Sequence, residues 1–263
     1  MKFILLIALF TSPVFAEQYG RAEINGEVEW VRITSGETMD VLTSTPFSSF
    51  DVKATVPYQK SQLRPPIDNG NVFAVGLNFR SHAGNAGEKK PEIFFKSAPS
   101  IRVDGDIVLP TDARNVHFEG ELVIVIGKLC DAVEAQQAKH CVFGYTVGND
   151  LTERSWQSSD LQWWRAKGAK DFGPVSALIQ TNLDISNQAI TTTLNGKVVQ
   201  QESLENMIHD VEAIVSYISQ YIPLRPGDLI FAGTPGRTRA LQANDTVSVS
   251  IDGIGEVTNT IRR

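Results

Sequence analysis

The sequence predicts an α+β fold that is mostly β, a mixed β-roll carrying a small N-terminal β unit. Two observations lead there. Apolar, β-branched runs of strand length outnumber stretches of helical periodicity, and the two do not alternate in the βαβ order of a doubly wound sheet. With 263 residues, 42% of them hydrophobic, and no internal repeat or low-complexity tract, the chain is long enough to bury one good core and a small appended unit.

In chain order, Lys2 is followed by the apolar run Phe3 to Phe10, then Pro13 and the small-residue exit Val14-Phe15-Ala16. A basic start, a short apolar stretch and a cleavage site predict a signal peptide over residues 1–16 and a periplasmic or secreted protein. Eight apolar residues are too few to span a bilayer, so no membrane association is expected after cleavage. Residues 17–66 alternate strand-like runs, such as Gly26 to Ile33, with turn clusters and end at Arg64-Pro65-Pro66. They form the expected N-terminal unit. Residues 67–263 form the main domain, with strands expected at Val72 to Leu77, Leu122 to Ile126, Val175 to Ile179, Ile190 to Leu194, Leu229 to Ala232 and Val247 to Ile251. A helix is expected from Leu204 to Ser219, where Val211, Ile214, Val215 and Ile218 recur at helical spacing. A second helix is expected from Ala132 to Lys139. It separates Cys130 from Cys141, which an oxidising compartment would allow to pair. A net charge of −6 argues against nucleic acid as a partner.

The chemistry concentrates at His117-Phe118-Glu119-Gly120-Glu121. In an extended chain Glu119 and Glu121, at i and i+2, share one face. Carboxylates held side by side raise one another's pKa unless a cation lies between them, so the pair suggests a hard metal with oxygen ligands. Asp150, in Gly148-Asn149-Asp150, is the third candidate. Three carboxylates leave part of an octahedral shell open for water and substrate, a catalytic layout.

From Asn71 to Ile261 the chain resembles the fumarylacetoacetate hydrolase family, in particular its acylpyruvate-hydrolase and oxaloacetate-decarboxylase-like members. The resemblance runs in order through Val75-Gly76-Leu77-Asn78-Phe79-Arg80-Ser81-His82, Phe94-Phe95-Lys96, Glu119-Gly120-Glu121-Leu122, and Gly148-Asn149-Asp150 with Arg154 and Gln157. It continues through Ala166-Lys167 with Gly173-Pro174, Asn195-Gly196 with Gln200, Pro226-Gly227-Asp228 and Gly233-Thr234-Pro235.

The resemblance implies a mixed β-sandwich roll of the family's C-terminal domain type and a homodimer. It implies Mg2+ or Mn2+ on Glu119, Glu121 and Asp150, a donor set that also admits Ca2+. Lys167 is then a catalytic cation beside the metal, steadying enolate or carboxylate oxygen. Arg80, Lys96, Gln157 and Thr234 match positions near substrate, and Arg237 and Arg239, where relatives carry glycines, add cations that would favour a dianionic ligand. His117, on the face of Glu119, is expected to support the ligands from behind. His82 matches the histidine that in hydrolytic relatives pairs with a glutamate three residues on to activate water. Here that position is Asn85, and Glu88 is the nearest substitute. At Lys170, where relatives often carry an aspartate, the local charge is altered.

The expected function is therefore divalent-metal-dependent cleavage of a C–C bond in a small 2-oxo or 1,3-dioxo acid of acylpyruvate type, through an enolate. Because Asn85 removes the partner of His82, oxaloacetate decarboxylation or keto–enol isomerisation through the same enolate stands beside it. A non-catalytic periplasmic binding protein for a chelating oxo acid is the alternative of a different class, separated from the others by metal-dependent turnover.

Overall fold

The computed structural model describes residues 16–67 and 69–263. Apart from Ala16, the expected signal peptide lies outside the described residues.

The chain is mostly β, and among the described residues its two large sheets pack face to face, with two two-stranded ladders, Val116–His117 with Thr152–Glu153 and Ile101–Arg102 with Gly173–Pro174, beside them. In the larger, eleven strands run in the order Val52–Pro57, Thr38–Leu42, Glu27–Ile33, Gln18–Ile24, Leu178–Gln180, Val142–Asn149, Gly120–Ile126, Leu229–Phe231, Val72–Gly76 and Glu92–Lys96, with Leu63–Arg64 pairing beside Gln18–Ile24. Most neighbours are antiparallel, but Leu229–Phe231 runs parallel to Val72–Gly76, which makes the sheet mixed. The first four strands extend this sheet through the pairing of Gln18–Ile24 with Leu178–Gln180. The smaller sheet orders Lys197–Ser203, Ala189–Leu194, Thr246–Ile251, Gly255–Arg262 and Gly105–Val108.

Gly120–Ile126 is buried at every position, as a central strand covered on both faces must be. One face, with Leu122, Ile124 and Ile126, meets Ile190, Val249 and Ile251 of the smaller sheet and Ile214, Val215 and Ile218 of the helix Val211–Ser219. The other face, with Val123 and Val125, packs on Val175, Ile179 and Phe231.

Three expected elements differ, each because a tertiary partner takes the backbone bonds that local periodicity assigns. The helix expected over residues 204–219 is a 3-10 turn, Leu204–Asn206, and then a helix, Val211–Ser219. Between them the Ile208 N–H donates to the Asn78 carbonyl and the His209 N–H to Asn78 Oδ1, each at 2.8 Å. Asp210 starts the second helix afresh by accepting from the Ala213 N–H at 2.8 Å. The helix expected from Ala132 shrinks to one turn, Ala135–Ala138, because Ala132 has φ 49° and donates its N–H to the Ser219 carbonyl. The strand expected over residues 175–179 splits, since Val175 bonds to Arg102 and Ser176 to Val147, and regular pairing resumes only at Leu178–Gln180.

Cys130 and Cys141 close a disulfide with Cα atoms 6.0 Å apart, and both are buried beside the helix Val211–Ser219. In the chain-entropy picture so short a loop stabilises by roughly 3 kcal/mol. Protein taken from an oxidising compartment is expected to resist alkylation until reduced and then to gain two labels, with a fall in melting temperature. Two thiols that alkylate freely before reduction would show that the bridge does not form in the cell.

Candidate metal centre

The two glutamates stand at the mouth of the central strand. Strand alternation turns Glu119 and Glu121 to one face and Gly120 to the other, where the smaller sheet leaves room only for glycine. A Cβ there would lie 2.2 Å from Thr192 Oγ1 and 3.0 Å from Val249 Cγ1. Asp150 follows the neighbouring strand Val142–Asn149 and is locked to the first glutamate. Its N–H donates to the Glu119 carbonyl, and the Glu119 N–H donates to Asn149 Oδ1, both at 2.8 Å. The three carboxylates are buried, with ligand oxygens all within 4.8 Å of one another.

Three cations surround them. Lys167, on the single-turn helix Trp164–Gly168, donates to Asp150 Oδ2 at 2.5 Å and to Glu119 Oε2. Arg154 donates to Glu119 Oε1, to Gln157 Oε1 at 2.8 Å and to Thr238 Oγ1 at 3.1 Å. Lys96 approaches from behind, donating to Asp150 Oδ1 at 2.6 Å and to the carbonyls of Lys167 and of Phe172, the latter at 3.0 Å. Thr152 Oγ1 adds a bond to Glu119 Oε2 at 3.0 Å.

Glu121 is treated differently. It accepts from the Gly233 N–H at 2.8 Å and among the described residues makes no direct ion pair, although the charge of Lys167 reaches it. Burial first, then the charges of Asp150 and Glu119, push its carboxyl well above the usual range. Burial works against Glu119 too, but Lys167 and Arg154 overcome it and hold that carboxyl below the usual range. Burial opposes charge on Lys167, yet Asp150, Glu119 and Glu121 hold its ammonium above the ordinary lysine value. Burial pushes Lys96 down against the pull of Asp150. A buried all-oxygen donor set, with one carboxylate left uncompensated, fits a hard divalent cation. Glu119, Glu121 and Asp150 are the residues that would hold it.

His82 closes the other side of the cleft. It rides on the helical turn Arg80–Ala83, which Gly84 ends at φ 62°. Its Nδ1 lies 2.7 Å from the Gly236 carbonyl, and its Nε2 lies 3.9 Å from Glu119 Oε1. A carbonyl can only accept, so Nδ1 carries a proton, and the nitrogen that faces the cleft, with a lone pair in the neutral imidazole, is Nε2. Asn85 is exposed, and Glu88 is engaged by Arg80. Orientation of the imidazole therefore falls to a backbone carbonyl.

The cleft, about 330 Å³, is lined by the three carboxylates, Lys167, His82, Arg154, Gln157 and Thr234, with Val75, Leu77, Phe94 and Trp163 as an apolar wall. The structure thus brings together seven of the residues singled out from the sequence: His82, Glu119, Glu121, Asp150, Gln157, Lys167 and Thr234. It places three elsewhere. The substrate contact expected of Lys96 gives way to a bracing role, because its ammonium is spent on Asp150 and two carbonyls. Arg80 faces outward on Glu88, and Arg237 is exposed beyond the lining, as is Arg239. His117 sits between Asn115 Oδ1 at 3.0 Å and Thr238 Oγ1 at 2.9 Å, and so steadies the hydroxyl that Arg154 touches. Sequence reasoning gave no role to Phe94 or Trp163. An apolar residue facing a cleft has the same local signature as one facing the core.

A β-roll that buries three carboxylates and two lysines at the mouth of a cleft is the arrangement of an enzyme site, where such clusters of perturbed groups concentrate. The chain belongs to the fumarylacetoacetate hydrolase family: residues 71–262 match the family described as fumarylacetoacetate hydrolase C-terminal. It is similar to the crystal structure of 2-hydroxyhepta-2,4-diene-1,7-dioate isomerase from Mycobacterium marinum, with TM-score 0.86 and 38% identity over 94% of this chain and 98% of that one. A fumarylpyruvate hydrolase from Pseudomonas aeruginosa, solved with Mn2+ and pyruvate, aligns with TM-score 0.69 and 28% identity, covering 80% of this chain and 92% of the other. A mitochondrial oxaloacetate tautomerase of Xenopus laevis is 32% identical over 217 residues, 76% of this chain and 68% of its own length. These relatives are an isomerase, a hydrolase and a tautomerase.

Proposed function

We propose that this protein is a divalent-cation-dependent tautomerase or isomerase of a small 2-oxo acid, with proton transfer at C3 as its chemical step. The observation that carries this reading is His82, oriented by the Gly236 carbonyl and presenting Nε2 to the cleft without a carboxylate behind it. A cation bound by Glu119, Glu121 and Asp150 would chelate the acid's carboxylate and 2-oxo group and favour the enolate over the ketone. Arg154 and Gln157 bind and orient the carboxylate end. His82 Nε2 takes the proton from C3, and the C–H electron pair moves into the C2–C3 bond as the carbonyl oxygen gains charge. Lys167, whose side chain is buried, stabilises that oxygen. Returning the proton from His82 to oxygen or to carbon completes the exchange.

Hydrolysis of acylpyruvates, expected first from the sequence, keeps the support of the fumarylpyruvate hydrolase among the relatives. It demands more of the site, since a water must be held and deprotonated as well, and among the described residues no carboxylate accepts from His82 Nδ1, while Glu119 Oε1, 3.9 Å from Nε2, is already paired with Arg154. Decarboxylation of oxaloacetate shares the enolate and needs no base. An exported homodimer is part of the same reading, supported by the leader sequence and by the resemblance.

The test is uptake of deuterium at C3 of 2-oxobutanoate in D2O, followed by proton NMR with Mg2+ or Mn2+. His82→Ala is expected to slow it by about 10²–10⁴, the usual worth of a positioned base. Exchange no faster than with the free ion would sink the reading and leave the binding protein in its place.

A further inference from the structure

We propose that the acid accepted by this cleft carries an apolar tail, which lies against the wall formed by the touching rings of Phe94 and Trp163, and does not end in a second carboxylate. The inference rests on the cleft being the oxo-acid site proposed above and adds to it the class of substrate.

The backbone fixes where a tail must go. Trp163 and Lys167 are four residues apart, and the Lys167 N–H donates to the Trp163 carbonyl at 3.0 Å, so one helical turn sets both on the same side. Lys167 Nζ lies 4.8 Å from the centre of the Phe94 ring, and the Phe94 and Trp163 rings are 5.4 Å apart, edge to face. A molecule whose polar end meets Lys167 and the carboxylates therefore reaches the aromatic wall within a few bonds, with Val75 and Leu77 also lining the cleft.

Charge argues the same way. The cations that line the cleft, Lys167 and Arg154, stand at the carboxylate cluster, where they pair with Asp150 and Glu119 and serve the head of the ligand. Arg80 is held by Glu88, and Arg237 and Arg239 stand outside the lining. A carboxylate at the far end of the ligand would lie against aromatic rings with no counter-charge, which buried charges do not tolerate. An alkyl or aryl tail would gain about fourfold per methylene buried. Phe94 and Trp163 also line an outer groove with Leu161 and Trp164, so a tail longer than the cleft has apolar surface to follow.

The experiment is calorimetric titration of the Mg2+-loaded protein with 2-oxooctanoate and with 2-oxooctanedioate, which share a head and a chain length and differ at the far end. The monoacid is expected to bind at least tenfold more tightly, and 2-oxohexanoate about tenfold more weakly than 2-oxooctanoate. Trp163→Ala should bring the two eight-carbon acids within threefold, while Trp163→Phe keeps the preference. A diacid that binds as tightly or more tightly overturns the proposal, above all if Arg237→Ala then weakens it. A preference that survives Trp163→Ala overturns the assignment to the aromatic wall. Deuterium uptake into pyruvate, which has no tail, separates the two readings: exchange with the wrong tail preference defeats this inference alone, and the right preference without exchange defeats only the enolising reading. Failure of both acids to bind defeats both.

Discussion

Replacing Glu121 by glutamine is expected to weaken Mg2+ or Mn2+ binding by 10² or more and to reduce turnover to that of the metal-free protein, while making that metal-free protein more stable. The two effects share one cause. Glu121 is the ligand without a cation of its own, crowded by Asp150 and Glu119, so it supplies the charge that draws an ion and in the ion's absence is a source of repulsion. Its folded pKa is raised, so its contribution to stability is fully present below the unfolded carboxyl value of about 4.3 and is lost as pH rises through the folded value. Glutamine escapes that loss. The gain from Glu121→Gln should therefore appear near neutral pH and fade in acid, measured by chemical denaturation in the presence of a chelator.

Glu119→Gln should do the opposite. Its folded pKa is depressed, so it contributes stability above about pH 4.3 that is lost as pH falls through the folded value. Removing it leaves buried Lys167 with Asp150 alone and half-buried Arg154 beside an amide, at a cost of up to about 3 kcal/mol. If both substitutions destabilise the metal-free protein alike, the charge assignment within the cluster is wrong. If Glu121→Gln binds metal with unchanged affinity by calorimetry, the site itself is wrong.

The second large effect is expected at Asn85. Asn85→Glu should raise acylpyruvate hydrolysis by about 10² and leave C3 proton exchange within a few-fold, because hydrolysis alone needs an activated water in addition to the enolate. To act, the new carboxylate must take His82 Nδ1 from the Gly236 carbonyl. Gly84 and Gly87, at φ 62° and 82°, let the intervening segment turn as it does. His82→Ala in the same background should remove the gain. Ordinary enzymatic rates of hydrolysis by the natural protein would show instead that the backbone carbonyl suffices, or that Glu88 leaves Arg80 to serve.

Much of the site is legible in the sequence because its first ingredients are local. Strand alternation places Glu119 and Glu121 on one face whatever the rest of the chain does, and Gly120 between them marks where another sheet approaches. Asp150 is reached by the next strand of the hairpin. The strands at Ala189–Leu194 and Thr246–Ile251 are legible for the same reason, since a period of two is written in consecutive residues.

What the sequence by itself determined is thus the mostly β class, the carboxylate triad as candidate ligands and the presence of Asn85 where the resemblance expects a glutamate to partner His82. Tertiary structure alone decided what surrounds them. Lys96 lies 54 residues before Asp150 and braces it only because an edge strand folds over the helix that carries Lys167. Asn78 breaks a helix 131 residues away by taking its backbone bonds. The Gly236 carbonyl meets His82 Nδ1 across 154 residues. A hydrogen bond or ion pair depends on where two groups meet, and sequence pattern encodes only the direction in which each side chain leaves its own strand or helix.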